Sequence, residues 1–290
     1  MASTPETSVL IPTYDQPALL IETLESVFAQ TYTDYEIVIV DDGSPPSTRD
    51  ALRPFLDRLV YVRKERGGIG SAKNAGLARC KGRFVAFLDH DDIWAREKLL
   101  VQIGALKEEP KYRVSYCRYE VTGTRDRPAR TRPRKGYSGM ILDRLMERTL
   151  VRTSSCLVVE REILRNIGPF REDLRVADDY EMLLRLAARH PFLFVDRVLL
   201  SYRQHAGAAS ADEVAKARDM AEILREWDDA PELSPAGRSA LRRRLGLHLA
   251  RLGQMEIRRG SLLAALRLVG EGIRLRPTRA PAFLVDLFRF

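Results

Sequence analysis

The run Tyr35–Ser44 reads YEIVIVDDGS. Its first six residues are almost wholly apolar and rich in β-branched side chains. That composition suits a strand covered on both faces, as central strands of a parallel sheet are. The strand stops at Asp41-Asp42-Gly43-Ser44, a turn signal. The same design recurs at Phe84–Leu88, which runs into Asp89-His90-Asp91-Asp92, and at Ser8–Pro12, which runs into Thr13-Tyr14-Asp15. Between these strands, Ala18–Gln30 carries Leu19, Leu20, Leu24, Val27 and Phe28 at helical spacing. Thr48–Leu56, Ser71–Arg79 and Ile93–Lys107 also read as helices, and Val60–Arg63 reads as a short strand before the Gly67–Gly70 loop. This alternation predicts an α/β fold with a parallel sheet and right-handed crossovers.

Farther along, Ser115–Val121 and Ser155–Val159 read as strands and Arg161–Asn166 as a short helix. Asp179–His190 is an amphipathic helix with Met182, Leu183, Leu186 and Ala187 on one face, followed by strands at Phe192–Val195 and Val198–Tyr202. Thr122–Tyr137 is rich in Arg and Pro and is expected to be a mobile loop. After Asp212 the pattern is helical, with breaks near Pro231–Pro235, at Gly260 and at Pro277. A boundary therefore falls near residue 212, dividing an α/β domain, 1–212, from a helical basic extension, 213–290.

The chain has 290 residues, 45% hydrophobic and 30% charged, so it has ample material for a core. No apolar run reaches the roughly 18 residues of a membrane span. Met1–Thr7 lacks the basic and apolar regions of a signal peptide, and Cys80, Cys117 and Cys156 show no paired spacing. A cytoplasmic location is the expectation. The net charge of +8 is confined to one region. Residues 241–290 hold 11 Arg and no Lys, against Glu256, Glu271 and Asp286. The balanced remainder argues against a nucleic-acid-binding catalytic domain.

Open α/β sheets bind ligands outside the carboxyl ends of their strands. Three strand ends deliver polar groups to that edge here. A single Asp after a strand is often only a turn former or helix cap. Five carboxylates at two strand ends would repel one another unless a cation neutralised them. An oxygen-rich, Cys-free set suits Mg²⁺ or Mn²⁺.

The segments SVLIPTYDQPALLIETLESVFAQTYTDYEIVIVDDGS, GGIGSAKNAGLARCKGRFVAFLDHDD, DDYEMLLRLA and YRQH resemble, in this order, the family 2 inverting glycosyltransferases with the GT-A fold. The resemblance covers residues 7–205. It implies a nucleotide-diphosphate sugar donor, UDP in the first instance, a divalent metal, Mn²⁺ or Mg²⁺, and an Asp general base. Pro12, Thr13 and Tyr14 would line the donor site, with Tyr14 stacking on the base and Asp42 accepting its N3–H. Lys73 stands where the family has Arg in an A-R-N run, near the ribose and pyrophosphate. Asp89, Asp91 and Asp92 match the D-x-D motif: Asp89 and Asp91 on the donor, and Asp91 or Asp92 on the metal. His205 would join the metal. Asp179 matches the base, and Asp178, where the family has Glu, lies on the acceptor side.

Two other readings compete with transfer. A sugar nucleotidyltransferase would need a Gly- and Arg/Lys-rich phosphate loop after the first strand, where this chain has Pro12-Thr13-Tyr14-Asp15. A catalytically silent binding module would not need Asp91, Asp92 and Asp179. The resemblance further implies a carbohydrate or lipid-linked acceptor, in surface-polysaccharide or glycolipid assembly. The tail alternates Leu241, Leu245, Leu249, Leu252 and Met255 with Arg residues, and Leu262, Leu266, Leu268, Ile273 and Leu275 repeat the pattern. It reads as a packed helical hairpin, a self-association element, or a peripheral contact with anionic lipid on the inner membrane face.

Overall fold

The structure, a computed structural model, describes residues 4–122, 135–205 and 207–275. The expected loop Thr122–Tyr137 lies largely outside them, as does the tail beyond residue 275. The chain folds as two compact units. The first comprises Met1–Ile141, Leu150–Asp173 and Asp178–Gly207. The second comprises Leu142–Thr149, Leu174–Ala177 and Ala208–Phe290, so it takes three short stretches from the first 212 residues, the last of them running into the helical extension.

The first unit is built on β1 (Thr7–Thr13), β2 (Tyr35–Asp41), β3 (Val60–Arg63) and β4 (Phe84–Phe87), all mutually parallel where they pair. Their connections carry α1 (Pro17–Phe28), α2 (Pro46–Leu52, continued by a 3₁₀ turn, Arg53–Arg58) and α3 (Ile69–Leu77). Every residue of β1 is buried, as a strand covered on both faces requires. Helix α3 lies close on this sheet because Gly76 has no side chain. A Cβ there would stand 2.1 Å from Leu10 Cδ1 and 3.0 Å from Val40 Cγ2.

The sheet is mostly parallel, as expected, and becomes mixed beyond β4, where the sequence pattern does not show strand direction. Its order is β3-β2-β1-β4-β7-β6-β8-β5, with β5 (Ile93–Trp94), β6 (Val114–Thr122), β7 (Leu157–Glu160) and β8 (Phe192–Arg203). Strand β7 runs antiparallel to both β4 and β6. The expected helix over Ile93–Lys107 starts only at Lys98, as α4 (Lys98–Glu108). Ile93 and Trp94 pair instead with Ser201 and Leu200, so sheet pairing overrides the local pattern. The two strands expected at 192–202 are one continuous strand. It is irregular opposite Cys117–Tyr119, where its register against β6 shifts. After β7 come α6 (Arg161–Ile167) and α7 (Asp178–Arg189), which buries Met182, Leu183, Leu186 and Ala187 as its pattern predicts. All three cysteines are buried free thiols.

The second unit is helical: α5 (Leu142–Glu147), α8 (Glu213–Glu226), α9 (Pro235–Arg258) and α10 (Leu262–Leu275). Helix α9 is its spine and buries Leu241, Leu245, Leu249 and Leu252. Ser234 caps α9 by accepting from Gly237 N at 3.1 Å, and Asp212 caps α8 by accepting from Ala215 N at 2.9 Å. Gly260, at φ 77°, ends α9 in the left-handed region that glycine favours. Arg225 clamps Glu271 of α10 through two bonds of 2.6 and 2.8 Å. No helix of the described residues is long and apolar enough to cross a membrane.

Candidate active site

Strands β1, β2 and β4 release their polar residues at one edge of the sheet, because parallel pairing puts their carboxyl ends side by side. Pro12 and Thr13 complete β1 and are buried, while Tyr14 is half-buried. Asp15 takes a φ of 47°, and its N–H donates to Ser44 Oγ at 3.0 Å, tying the β1 turn to the β2 turn.

The two Asp residues that end β2 do different work. Asp41 is buried and accepts from Tyr61 Oη, Arg63 and Ser44 N, all structural bonds. Asp42 reaches toward the glycine loop. Its Oδ1 accepts from Gly67 N at 2.9 Å and Lys64 Nζ at 2.8 Å, and its Oδ2 from Gly68 N at 2.8 Å. Gly68 sits at φ 89°, which lets two successive amides face one carboxylate. Arg66 of the same loop lies over the Tyr14 ring, 3.9 Å from its centroid, and donates to Tyr14 Oη at 2.9 Å. Tyr14 and Asp42 are therefore joined through the 64–68 loop. Sequence reasoning passes over Lys64 and Arg66; their place beside Gly67-Gly68 is the available signal.

At the end of β4, Asp89 accepts from Thr153 Oγ1 at 2.6 Å through Oδ2, and its N–H donates to Ser155 Oγ at 2.9 Å. The other oxygen, Oδ1, is buried and has no hydrogen-bond partner among the described residues. His90 is half-buried, and its carbonyl accepts from Thr23 Oγ1 at 2.9 Å. Asp91 Oδ2 lies 2.9 Å from His205 Nε2, so two residues 114 positions apart meet at one point. Asp92 turns inward, is wholly buried, and accepts from Arg203 N at 3.1 Å through Oδ1. Burial, then the charges of Asp89 and Asp91, pushes the Asp92 carboxyl well above the usual carboxylate range. Arg203 ties this loop to β8, bonding to Asp91 O and Glu22 as well. It stands inside the YRQH segment, where the motif alone points only to His205.

The Asp91–His205 pair brings a carboxylate oxygen and an imidazole nitrogen to one point, donors that suit a divalent cation. Among the described residues no three His, Cys, Asp or Glu side chains make a metal site by themselves.

Lys73 and Asp178, expected on the donor and acceptor sides, are joined to each other. Lys73 Nζ lies 2.8 Å from Asp178 Oδ2, and each residue is only 1% exposed. The ammonium also lies 5.2 Å from the Phe170 ring centroid. Burial alone would lower the Lys73 pKa, but Asp178, Asp89 and Asp179 hold it above the usual range. Burial raises Asp178, and Lys73 opposes that rise. Next in sequence, Asp179 opens α7 and keeps partial solvent access. Protein crowding around its carboxyl pushes its pKa up to about 7; Lys73 counters this, and Asp178 and Asp89 add to it. A carboxyl poised near neutrality can accept a proton from a hydroxyl held beside it.

The sequence of residues 8–168 matches the family described as glycosyl transferase family 2, which is more than half of the chain. An uncharacterized glycosyltransferase of Rickettsia prowazekii is 32% identical over 206 residues, 70% of this chain and 65% of the relative. The chain thus spans just under two thirds of that relative's length. Escherichia coli WfaP, named UDP-Glc:alpha-D-GlcNAc-diphosphoundecaprenol beta-1,3-glucosyltransferase, is 28% identical over 75% of this chain and 85% of its own. Among solved structures, Staphylococcus aureus TarS 1–349 in complex with UDP aligns with TM-score 0.71 at 23% identity, over 96% of this chain and 83% of that one. A mannosyltransferase of Pyrobaculum calidifontis in complex with GDP-Man and Mn²⁺ aligns with TM-score 0.66 at 20% identity, over 99% and 82%. The α/β fold is the GT-A arrangement, and the chain belongs to glycosyl transferase family 2.

Proposed function

We propose that the protein transfers a sugar, with inversion, from a UDP-sugar to a hydroxyl of a carbohydrate or lipid-linked acceptor in surface-polysaccharide assembly. The observation that carries this reading is Asp179: a half-buried residue in the first turn of α7 whose carboxyl is raised to about 7, beside an ion pair that is itself sealed from water. Asp179 would take the acceptor hydroxyl's proton as that oxygen attacks the anomeric carbon opposite the diphosphate. Lys73 and Asp178 would set the field around it without meeting solvent.

On the donor side, Tyr14 would offer a flat face to the nucleobase and Asp42 an acceptor to its N–H edge. Pro12 and Thr13 would shape the wall beneath them. Asp89 and Asp91 would face the ribose and diphosphate. Asp91 and His205 would hold Mn²⁺ or Mg²⁺, with Asp92 behind Asp91 as a buried brace. The bound ion would neutralise charge on the departing diphosphate. WfaP supports the acceptor class, since its name specifies a lipid-linked diphosphate.

Such an acceptor would be met at the inner membrane face by a cytoplasmic enzyme, and α10 offers a surface for it. Leu262, Leu263 and Leu266 of α10 are 62%, 76% and 56% exposed, in the Arg-rich part of the chain.

The test is UDP release from a panel of UDP-sugars, with and without EDTA. The reading expects release from at least one donor, loss in chelator and recovery with Mn²⁺ or Mg²⁺. Full activity in chelator would remove the metal from the account. Silence across the whole panel, with no UDP binding, would favour a binding module.

A further inference from the structure

Arg203 is the last residue of β8, and its side chain is only 17% exposed. Ile93 pairs with Ser201 and Trp94 with Leu200; the same antiparallel register, carried two residues on, places Arg203 opposite Asp91. Side-chain bonds hold the two together there. Arg203 Nε donates to Asp91 O, and the backbone N–H of Arg203 donates to Asp92 Oδ1 at 3.1 Å. The guanidinium also pairs with Glu22 and reaches Leu19 O at 3.3 Å, both on α1. Thr23 of α1, wholly buried, places its Oγ1 2.9 Å from both His90 O and Asp92 O. One residue past Arg203, Gln204 N–H donates to Thr122 O of β6 at 3.0 Å. The Asp91 peptide is therefore fixed to the end of β8 two residues before His205, whose Nε2 lies 2.9 Å from Asp91 Oδ2.

We infer that Arg203 is a positioning residue for the divalent cation: it fixes the Asp91 peptide to the end of β8 and so keeps the Asp91 carboxylate and the His205 imidazole at one point. This rests on the reading of those two residues as the pair that holds the ion. Arg203 offers no atom to a cation itself, since a guanidinium has no acceptor. Its charge would oppose one. Charge and geometry therefore predict opposite signs. Were Arg203 only a nearby charge, removing it would strengthen cation binding. As a strut, its removal should weaken cation binding, and losing a group that orients metal ligands commonly costs about 10- to 100-fold in affinity. The pairing with Glu22, whose side chain is 58% exposed, adds little to this restraint beside the bonds to Asp91 and Asp92.

The experiment measures UDP Kd by isothermal titration calorimetry, once with Mn²⁺ and once with EDTA, for the full chain. The ratio of the two values is the gain that the ion gives to UDP binding. His205→Ala removes a proposed ligand and marks the floor. Arg203→Met should cut the gain about 10- to 100-fold, towards that floor. Arg203→Lys keeps the charge but loses the fork that bonds Asp91 and α1 together, so it should lose most of the gain as well. A gain in Arg203→Met within about twofold of wild type, or above it, would overturn the inference. So would an equal loss of UDP affinity in both media, which marks a general effect of charge or folding. A gain kept by Arg203→Lys and lost only in Arg203→Met would overturn it too, by making charge the cause. The wild type separates the two claims. If Mn²⁺ gives it no gain, the metal reading fails and the inference with it, whereas a wild-type gain that Arg203→Met retains refutes only the positioning role. Should Arg203→Met not fold, Thr23→Val tests the same restraint: it keeps the volume, deletes the hydroxyl held against His90 O and Asp92 O, and should lower the gain in the same direction. An unchanged gain there would overturn the inference equally.

Discussion

At the scale of the residue, Asp179 joins function to stability. An ordinary Asp titrates near 4 in an unfolded chain, and here burial raises it to about 7. The native state then holds a proton that the unfolded state has released. The stabilising effect of that proton is full below about pH 4 and is lost as pH rises through about 7. Asp179→Asn removes a charge the fold would rather not carry. Its Tm at pH 8 should rise by a few degrees, while turnover collapses; differential scanning calorimetry alongside UDP release reads both. The Lys73–Asp178 pair makes the opposite prediction. Lys73→Met leaves a buried carboxylate without its cation and should cost about 3–5 kcal/mol in urea unfolding, with much of the loss recovered in Lys73→Met/Asp178→Leu. Lys98 is a third case. Its Nζ is wholly buried with no hydrogen-bond partner among the described residues, and burial lowers its pKa. Lys98→Met should raise Tm without changing turnover, because it keeps the volume and deletes the desolvated amine.

These residues also show what a sequence carries and what it hides. Asp91 and His205 can be named from their motifs, but their meeting depends on β8 bringing residue 205 back to the end of β4. Lys73 and Asp178 each look like a departure from a family pattern. That the two departures answer one another, as a short acid against a lysine in one sealed pair, is a property of three dimensions.

At the scale of the element, apolar runs with turn signals are sufficient to identify β1, β2 and β4, because a strand buried on both faces leaves a continuous trace; the short edge strand β3, only partly buried, is legible from its β-branched residues. The amphipathic period of α7 is equally legible. Ile93–Trp94 is not, since its strand pairing with Leu200 and Ser201 is a tertiary choice that local pattern cannot express. The antiparallel β7 is hidden for the same reason: a short apolar run does not reveal its direction. The packing of α3 on β1 gives a test at this scale. Gly76→Ala places a methyl against the buried Leu10 side chain and should cost about 1–3 kcal/mol. Shortening the opposing side chain in Gly76→Ala/Leu10→Val should return part of it. Additive losses in the double variant would show that the close approach does not set the position of α3.

At the scale of the whole molecule, charge is unevenly spread, with the +8 excess gathered in residues 241–290 beside the exposed leucines of α10. The protein should sediment with anionic vesicles at low salt and be released as salt rises through a few tenths molar, where screening shortens to several Å. Leu262→Ser/Leu263→Ser/Leu266→Ser should weaken sedimentation while leaving UDP release intact. Indifference to anionic vesicles at low salt would make this face a solvated surface and remove the membrane from the account. General-base chemistry at Asp179 is read by the pH dependence of kcat/KM for UDP release, taken for wild type and Asp179→Asn side by side. The wild-type rate should climb with pH and level off above about 7, the value to which burial raises Asp179. Asp179→Asn should be slower by about 10²–10⁴ and still bind UDP. A flat wild-type profile together with a variant of near-normal rate would contradict this role of Asp179.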